Sequence, residues 1–201
     1  MAALVVAGAC QGDAVSPQTS RIQILLTDAP ADQLESAIVW ISHVYLQGTD
    51  DSAPEASEPE PTSSEGRVDL YNDPDNPLDF DLLTLRDGIT ADVTDLVEVD
   101  VGLYQSLRFV VDSAKVTLIE GLTFEDGSQS GVLKVPSGNT SGIKVKLNDV
   151  LDAGEGETTT VTVDFDVDDN FKIQMNPQTG LVQSVMFTPV LKEKGREKVK
   201  D

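Results

Sequence analysis

Apolar and polar residues alternate with a period of two along most of this chain, and this pattern constrains the fold more than any other feature. The alternation is clear over residues 22–26, 143–147 and 160–168. It is typical of β-strands that bury one face, and no helical period is sustained anywhere. About eight or nine such strands, at this spacing, favour a sandwich or a barrel. Because two half-apolar sheets hide their apolar faces by packing together, we expect an all-β, two-sheet β-sandwich.

The domain organisation follows from length and local composition. The 201 residues suffice for one domain with a real core, which we place at residues 21–191 after a polar tether at 11–20. Residues 48–66 are rich in Pro, Ser and Glu and are expected to be a disordered acidic loop. Residues 192–201 carry mixed charges and are interpreted as a charged tail. For residues 78–85 the pattern leaves a helical turn and a strand open.

The first ten residues are interpreted as a lipoprotein signal segment that ends at the only cysteine. Ala7-Gly8-Ala9-Cys10 resembles the lipobox of bacterial lipoproteins, in which the cysteine thiol carries the lipid. The apolar stretch is short and no Lys or Arg precedes it, which an upstream start codon would explain. We therefore expect Cys10 to be lipidated and to anchor the protein to a membrane; the alternative is an unprocessed apolar tail. Gln11 after the cysteine favours an outer-membrane or other extracytoplasmic address.

The net charge of −21, from 35 acidic and 14 basic residues, excludes some partners. Nucleic-acid binding requires a cationic surface, and such an acidic protein does not adsorb directly to anionic lipid headgroups. The charge is compatible with cation binding or simply with a solvated acidic surface.

An acidic run near the end of the alternating segment is the sharpest candidate for chemistry. If 160–168 is a strand, then Asp164, Asp166 and Asp168 share one face, with neighbours about 7 Å apart. These carboxylates repel one another unless a cation lies between them, and hard oxygen ligands suit calcium. Asp28 and Asp32 would add ligands if their turn lies nearby. Pairing with Lys144 and Lys146 on a neighbouring strand is the structural alternative.

Other polar and aromatic residues give weaker signals. The loop of Ser137, Gly138 and Asn139 predicts a hairpin turn, and it is also a candidate ligand loop. His43, the only histidine, is expected to be structural. An aromatic residue such as Trp40 could stack on a sugar, although core packing is the usual role of a strand tryptophan.

Several segments together resemble the uncharacterised lipoprotein family called domain of unknown function 4382. The resemblance extends over about residues 20–191, and its motifs are Leu26-Thr27-Asp28-Ala29-Pro30-Ala31-Asp32, Asp81-Leu82-Leu83, Gly102-Leu103-Tyr104, Leu133-Lys134-Val135-Pro136-Ser137-Gly138, Gly142-Ile143-Lys144 and Asp164-Phe165-Asp166. It implies a lipid-anchored β-sandwich, similar to transthyretin-like or carbohydrate-binding domains. It implies no established activity.

Three functions remain open on the sequence. The first is a non-enzymatic envelope lipoprotein that binds a carbohydrate, peptide or protein partner. The second is a structural or adhesion module stabilised by calcium. The third is a hydrolase that uses a pair of carboxylates, for which abundant acidic residues give only a nonspecific signal.

Overall fold

The structure, a computed structural model, describes residues 19–28, 32–48, 66–135 and 142–200. This part of the chain is all-β, as the alternation predicts. Cys10, residues 11–18 of the tether, residues 49–65 of the acidic loop, and Ser137, Gly138 and Asn139 lie outside the described residues.

The described residues contain 14 strands and two short helices. The strands are β1 (Thr19–Thr27), β2 (Leu34–Gly48), β3 (Arg67–Asn72), β4 (Leu78–Asp81), β5 (Ala91–Asp92), β6 (Val97–Asp100), β7 (Gly102–Leu118), β8 (Ser130–Leu133), β9 (Ile143–Lys146), β10 (Leu151–Ala153), β11 (Glu157–Asp164), β12 (Phe171–Met175), β13 (Val182–Phe187) and β14 (Leu191–Lys200). The helices are a 3-10 turn at Leu82–Thr84 and α1 at Val167–Asn170. Residues 78–85 thus contain both of the structures that the sequence left open, a strand and then a helical turn.

Twelve strands form one continuous curled sheet, and β12 and β13 form a separate hairpin. The main order is β3-β2-β7-β9-β14-β11-β1-β5, while β4 also pairs with β2, β6 with β1, and β8 and β10 with β7. The number of strands exceeds the expected eight or nine because the long strands β2 and β7 each pair with several short ones.

Strand β9 joins two wings of this sheet. It pairs antiparallel with β7, Arg108 opposite Lys144, and parallel with β14, Leu191 opposite Val145. The first wing consists of β2, β3, β4, β7, β8 and β10, and the second of β1, β5, β6, β11 and β14. Fully buried side chains from both wings, such as Val39 and Val161, belong to one hydrophobic cluster.

The segment interpreted as a charged tail is strand β14, which pairs with β11 from Glu157–Lys200 to Asp164–Lys192. Leu191 is fully buried, and the Glu193 carboxylate is held by Arg196, with both nitrogen–oxygen distances at 2.9 Å. The prediction of a tail outside the domain is therefore wrong. The alternating charges do not prevent strand formation, because opposite charges on neighbouring chain segments pair with them.

Candidate functional site

The predicted row of aspartates does not form on one strand face. Strand β11 ends at Asp164, and Asp166 has a left-handed backbone with φ of 40°. The Asp166 side chain accepts a hydrogen bond from the Asp169 amide at 3.1 Å and so caps helix α1. Asp168 lies within that helix and is exposed. The period-two prediction fails here because the cap turns the backbone out of the strand.

Lysines from β14 lie among these carboxylates. Lys192 Nζ is 3.1 Å from an Asp169 oxygen and 4.0 Å from an Asp166 oxygen. Lys194 Nζ lies 3.9 Å from Asp164. These five residues, Asp164, Asp166, Asp169, Lys192 and Lys194, are called the acidic corner below. The cations come from the supposed tail, not from Lys144 and Lys146 as the structural alternative expected.

The pKa values in the acidic corner follow from burial and from these lysines. Hydrogen bonding and charge from Lys192 lower the pKa of the exposed Asp169 carboxyl. Partial burial raises the pKa of Asp164, and the nearby Lys194 only partly offsets this effect.

Asp28 is buried and serves the same corner structurally. Its Oδ1 accepts a hydrogen bond from the Val167 amide at 2.8 Å, joining the end of β1 to the start of α1. Asp32 is exposed, just before β2. Among the residues that the structure describes, no group of three or more His, Cys, Asp or Glu side chains is arranged to hold a metal ion.

His43 lies in a polar cluster on β2 and β3. Its Nε2 is 2.7 Å from Asp69 Oδ1, and the Arg67 guanidinium lies 3.9 Å above the Tyr45 ring. Burial raises the pKa of Asp69, but hydrogen bonds from His43 and Arg67 outweigh it and lower the pKa overall. The histidine is 9% exposed and well partnered, as expected for a structural residue.

An open apolar groove of about 460 Å³ lies between β8 and β13. Two aliphatic side chains on its walls are strongly exposed, Val132 at 76% and Met186 at 49%. The described lining holds no carboxylate, histidine or cysteine; it consists of Phe124, Gly131, Val132, Leu133, Lys134, Ser184, Val185, Met186, Phe187 and Thr188.

Aromatic packing builds the floor of the groove. A Cβ atom on Gly131 would lie 3.1 Å from Phe124 Cζ, so the absence of a side chain lets the ring pack against the β8 backbone. Phe187 is 4% exposed and stacks on Phe171 with ring centroids 4.7 Å apart. Phe187 is therefore used within the fold and Phe124 is partly buried, and the most exposed apolar side chains of the lining are aliphatic.

An acidic depression adjoins the groove. The turn after Phe124 is closed by Asp126, whose Oδ1 accepts hydrogen bonds from the Ser128 amide at 2.9 Å and from its hydroxyl at 2.7 Å. Beside it, Glu125 accepts a hydrogen bond from Asn176 at 2.6 Å. These two carboxylates line a smaller depression that shares Phe124 and Gly131 with the groove.

Sequence reasoning missed this groove because its walls come from distant segments. Strands β8 and β13 are about fifty residues apart in sequence, and no local periodicity reveals that they face each other. The only usable signal was Val132, an apolar residue that falls on the polar face of its strand.

The fold and the groove define an all-β domain with an open surface site. The family model described as domain of unknown function 4382 matches residues 19–182, and the chain belongs to this family. Strand β14 lies beyond the matched residues. No curated protein and no solved structure shows a significant match. In the described part of the chain, no helix has the length and hydrophobicity needed to span a bilayer.

Proposed function

We propose that this chain is a lipid-anchored protein of the cell envelope whose β domain binds a protein partner without catalysing a reaction. The observation that carries this proposal is the exposed apolar groove between β8 and β13. Val132 and Met186 both expose aliphatic surface on one groove, and exposed apolar surface gathered in a groove is a typical site for a partner.

A protein partner fits the groove better than a carbohydrate does. Sugar binding uses exposed aromatic faces together with a set of directed polar groups. Here the Phe187 ring is buried and the Phe124 ring is partly buried against Gly131, and the most exposed apolar side chains of the lining are aliphatic. A carbohydrate ligand is therefore kept only as an outcome of the test below.

The chemistry of the lining supports binding over hydrolysis. A carboxylate-dependent hydrolase needs two carboxylates at a substrate-accessible cleft. The described lining of the groove has none, and the carboxylates of the acidic corner are engaged by Lys192 and Lys194. Lys192 and Lys194 also supply positive charge of the kind that a bound calcium ion would bring to these carboxylates.

The anchor and the sandwich description belong to this proposal as well. Cys10 lies in a lipobox-like context, nine residues before β1 begins at Thr19. Such a spacing leaves a short tether between the lipid and the first strand. We also propose that the curled sheet is a β-sandwich. Its two wings are joined by β9, and buried side chains from both wings belong to one core.

The anchor is tested by mass spectrometry of the mature N-terminus after expression in a bacterial host. A diacylglyceryl group on Cys10, absent from a Cys10→Ala variant, is the expected result. An intact Met1 with a free thiol would contradict the anchor but would not bear on the groove.

The binding function is tested by selecting a random peptide display library on the full chain and probing a glycan array in parallel. We expect enriched peptides whose binding is lost in Val132→Lys and Met186→Lys and retained in Val199→Lys. Val199 is a matched control because it is 61% exposed on β14 and does not line the groove. Glycan binding that the groove variants abolish would replace the protein partner by a carbohydrate.

A further inference from the structure

We infer that the partner binds as an extended segment that adds a strand to the outer edge of β8, with aliphatic side chains at alternate positions and a cationic residue at one end. This inference rests on the proposed function and specifies the chemistry of the occupant.

The outer edge of β8 is open to pairing. Strand β8 pairs with β7 alone, from Thr117–Ser130 to Ala114–Leu133. In an antiparallel ladder, alternate residues direct their N–H and C=O groups away from the partner strand. Within the described structure, no other backbone group forms a hydrogen bond with residues 130–133 on that side. Such an edge is a template for an added strand.

Strand β13, the second wall of the groove, also favours an extended chain as the occupant. Strand β13 pairs with β12, and only its first residue, Val182, also forms a parallel bridge to Phe124. Beyond this bridge β13 runs beside the open edge of β8 and lines the groove from Ser184 to Phe187. A groove lined by two strands presents strand edges to its occupant, and an extended chain, unlike a helix, has free backbone groups that can pair with such an edge.

The side chains of the occupant are set by the alternation of β8. Val132 projects to the opposite face from Gly131 and Leu133, and it is the most exposed of the large apolar residues described. A strand paired with β8 places one of its side chains beside Val132, where an aliphatic or β-branched residue is the most favourable neighbour.

Charge complementarity determines which end of the partner segment carries the cationic residue. Glu125 and Asp126 line the depression that adjoins the groove near Ser130, the first residue of β8, and Lys134 lies on the groove lining just after the last residue of β8. The whole chain carries a net charge of −21, which attracts a cationic partner over longer distances. An Arg or Lys therefore belongs at the end of the segment that lies beside the Glu125–Asp126 turn.

The experiment measures the affinity of the full chain for a soluble peptide in which valine and threonine alternate after a single terminal arginine. Each backbone amide of the peptide is methylated in turn. Because only alternate amides can pair with β8, we expect a period-two pattern in which every second methylation weakens binding about fivefold or more. Replacing the arginine by glutamine weakens binding to the wild type, and this loss is smaller in a Glu125→Gln variant.

The outcomes separate this inference from the proposed function. If library peptides bind the groove but methylation has the same effect at every position, strand addition is wrong and groove binding stands. Failure of the valine–threonine peptide to bind, while other library peptides do, also contradicts the inference. Concentration-dependent dimerisation that Val132→Lys abolishes would show that the edge pairs with a second copy instead. If nothing selected depends on Val132 or Met186, both proposals fail.

Discussion

The acidic corner and the apolar groove lie at neighbouring parts of one core. They differ in how far other residues of the chain pair with or bury their side chains. In the corner, each of three aspartates has a lysine of β14 within 4.0 Å. In the groove, Val132 remains 76% exposed, and within the described structure one edge of β8 pairs with no strand. The region with the stronger sequence signal is thus partly neutralised by lysines of the same chain, although Asp164 Oδ1 is buried without a hydrogen bond. The region with the weaker sequence signal keeps exposed apolar surface.

This difference shows that a cluster of charged residues in a sequence does not by itself mark a ligand site. A carboxylate cluster draws attention because like charges repel, but any nearby cation of the same chain can relieve that repulsion. Exposed aliphatic surface cannot be compensated by a nearby charge, and only burial against another element removes it from water. Five predictions test this contrast.

Removal of β14 tests the dependence of the acidic corner on its lysines most severely. A chain that ends at Val190 lacks the partner of β11, the buried Leu191 and both lysines of the corner. We expect it to lose cooperative urea unfolding, measured by circular dichroism. A chain shortened only by residues 199–201 is the control and should unfold cooperatively. Cooperative unfolding of the shorter chain would show that the corner does not need β14.

Phe187→Ala tests whether one core supports both regions. Phe187 stacks on Phe171 at 4.7 Å and lies 6.1 Å from Phe165, the residue that follows Asp164. We expect the variant to lose about 3–5 kcal/mol of unfolding free energy, because the ring leaves a cavity. Chemical denaturation measures the loss, with Val132→Ala as the exposed control. A loss below about 1 kcal/mol would mean that the regions pack independently.

Asp164→Asn tests whether burial or ion pairing dominates within the corner. Burial raises the pKa of Asp164 from its ordinary value of 3.8, so the folded state binds this proton more tightly than the unfolded state does. Its stability contribution is therefore full below pH 3.8 and is lost as the pH rises through the raised folded pKa. We expect the variant to be more stable than the wild type at neutral pH by about 1 kcal/mol or less.

The pH dependence of that difference is the sharper measurement. The advantage of Asp164→Asn should shrink as the pH is lowered through this window; Asp168→Asn, which replaces an exposed aspartate of the adjoining helix, is the matched control. A variant that is less stable than the wild type at neutral pH would show that the Lys194 pair outweighs burial.

Val132→Lys tests the groove side of the comparison. Because Val132 is 76% exposed, we expect the unfolding free energy to change by no more than about 0.5 kcal/mol while peptide binding is lost. Urea denaturation and the binding assay are run on the same preparation. A large loss of stability would indicate that the side chain serves the fold, which would remove it as evidence for a partner site.

Calcium should have the smallest effect of all. Since Lys192 and Lys194 already lie among the carboxylates, millimolar calcium should leave the melting temperature unchanged relative to sodium chloride of equal ionic strength. Calorimetry after chelation makes the measurement. A calcium-specific rise that disappears in Asp164→Asn would overturn the internal neutralisation of the corner.

Much of the fold was predictable from alternation, because burial of one face leaves a direct record in a strand. Val161, Val163 and Phe165 are fully buried as that record implies. Val167 is buried too, although its backbone is helical. A period-two pattern records which side chains enter the core but not whether the chain stays extended, and the left-handed turn at Asp166 was invisible to it.

The candidate site was less predictable, since it depends on contacts between segments far apart in sequence. Of the aspartates proposed as metal ligands, only Asp164 and Asp166 lie in the acidic corner, and their pairing with Lys192 and Lys194 required knowing that residues 191–200 form a strand beside β11. The groove could not be predicted, because composition does not indicate that β8 and β13 lie next to each other without pairing.

The parallel pairing of β1 with β11 also has a consequence for the order of events in the life of the chain. Arg21 is opposite Thr158, so the first strand pairs with a strand that follows it by 137 residues. Loop closure over such a distance delays folding, and until β11 is synthesised β1 has only its short antiparallel neighbours β5 and β6. The parallel pairing of β1 therefore forms only after all the strands from β2 to β10 have been synthesised.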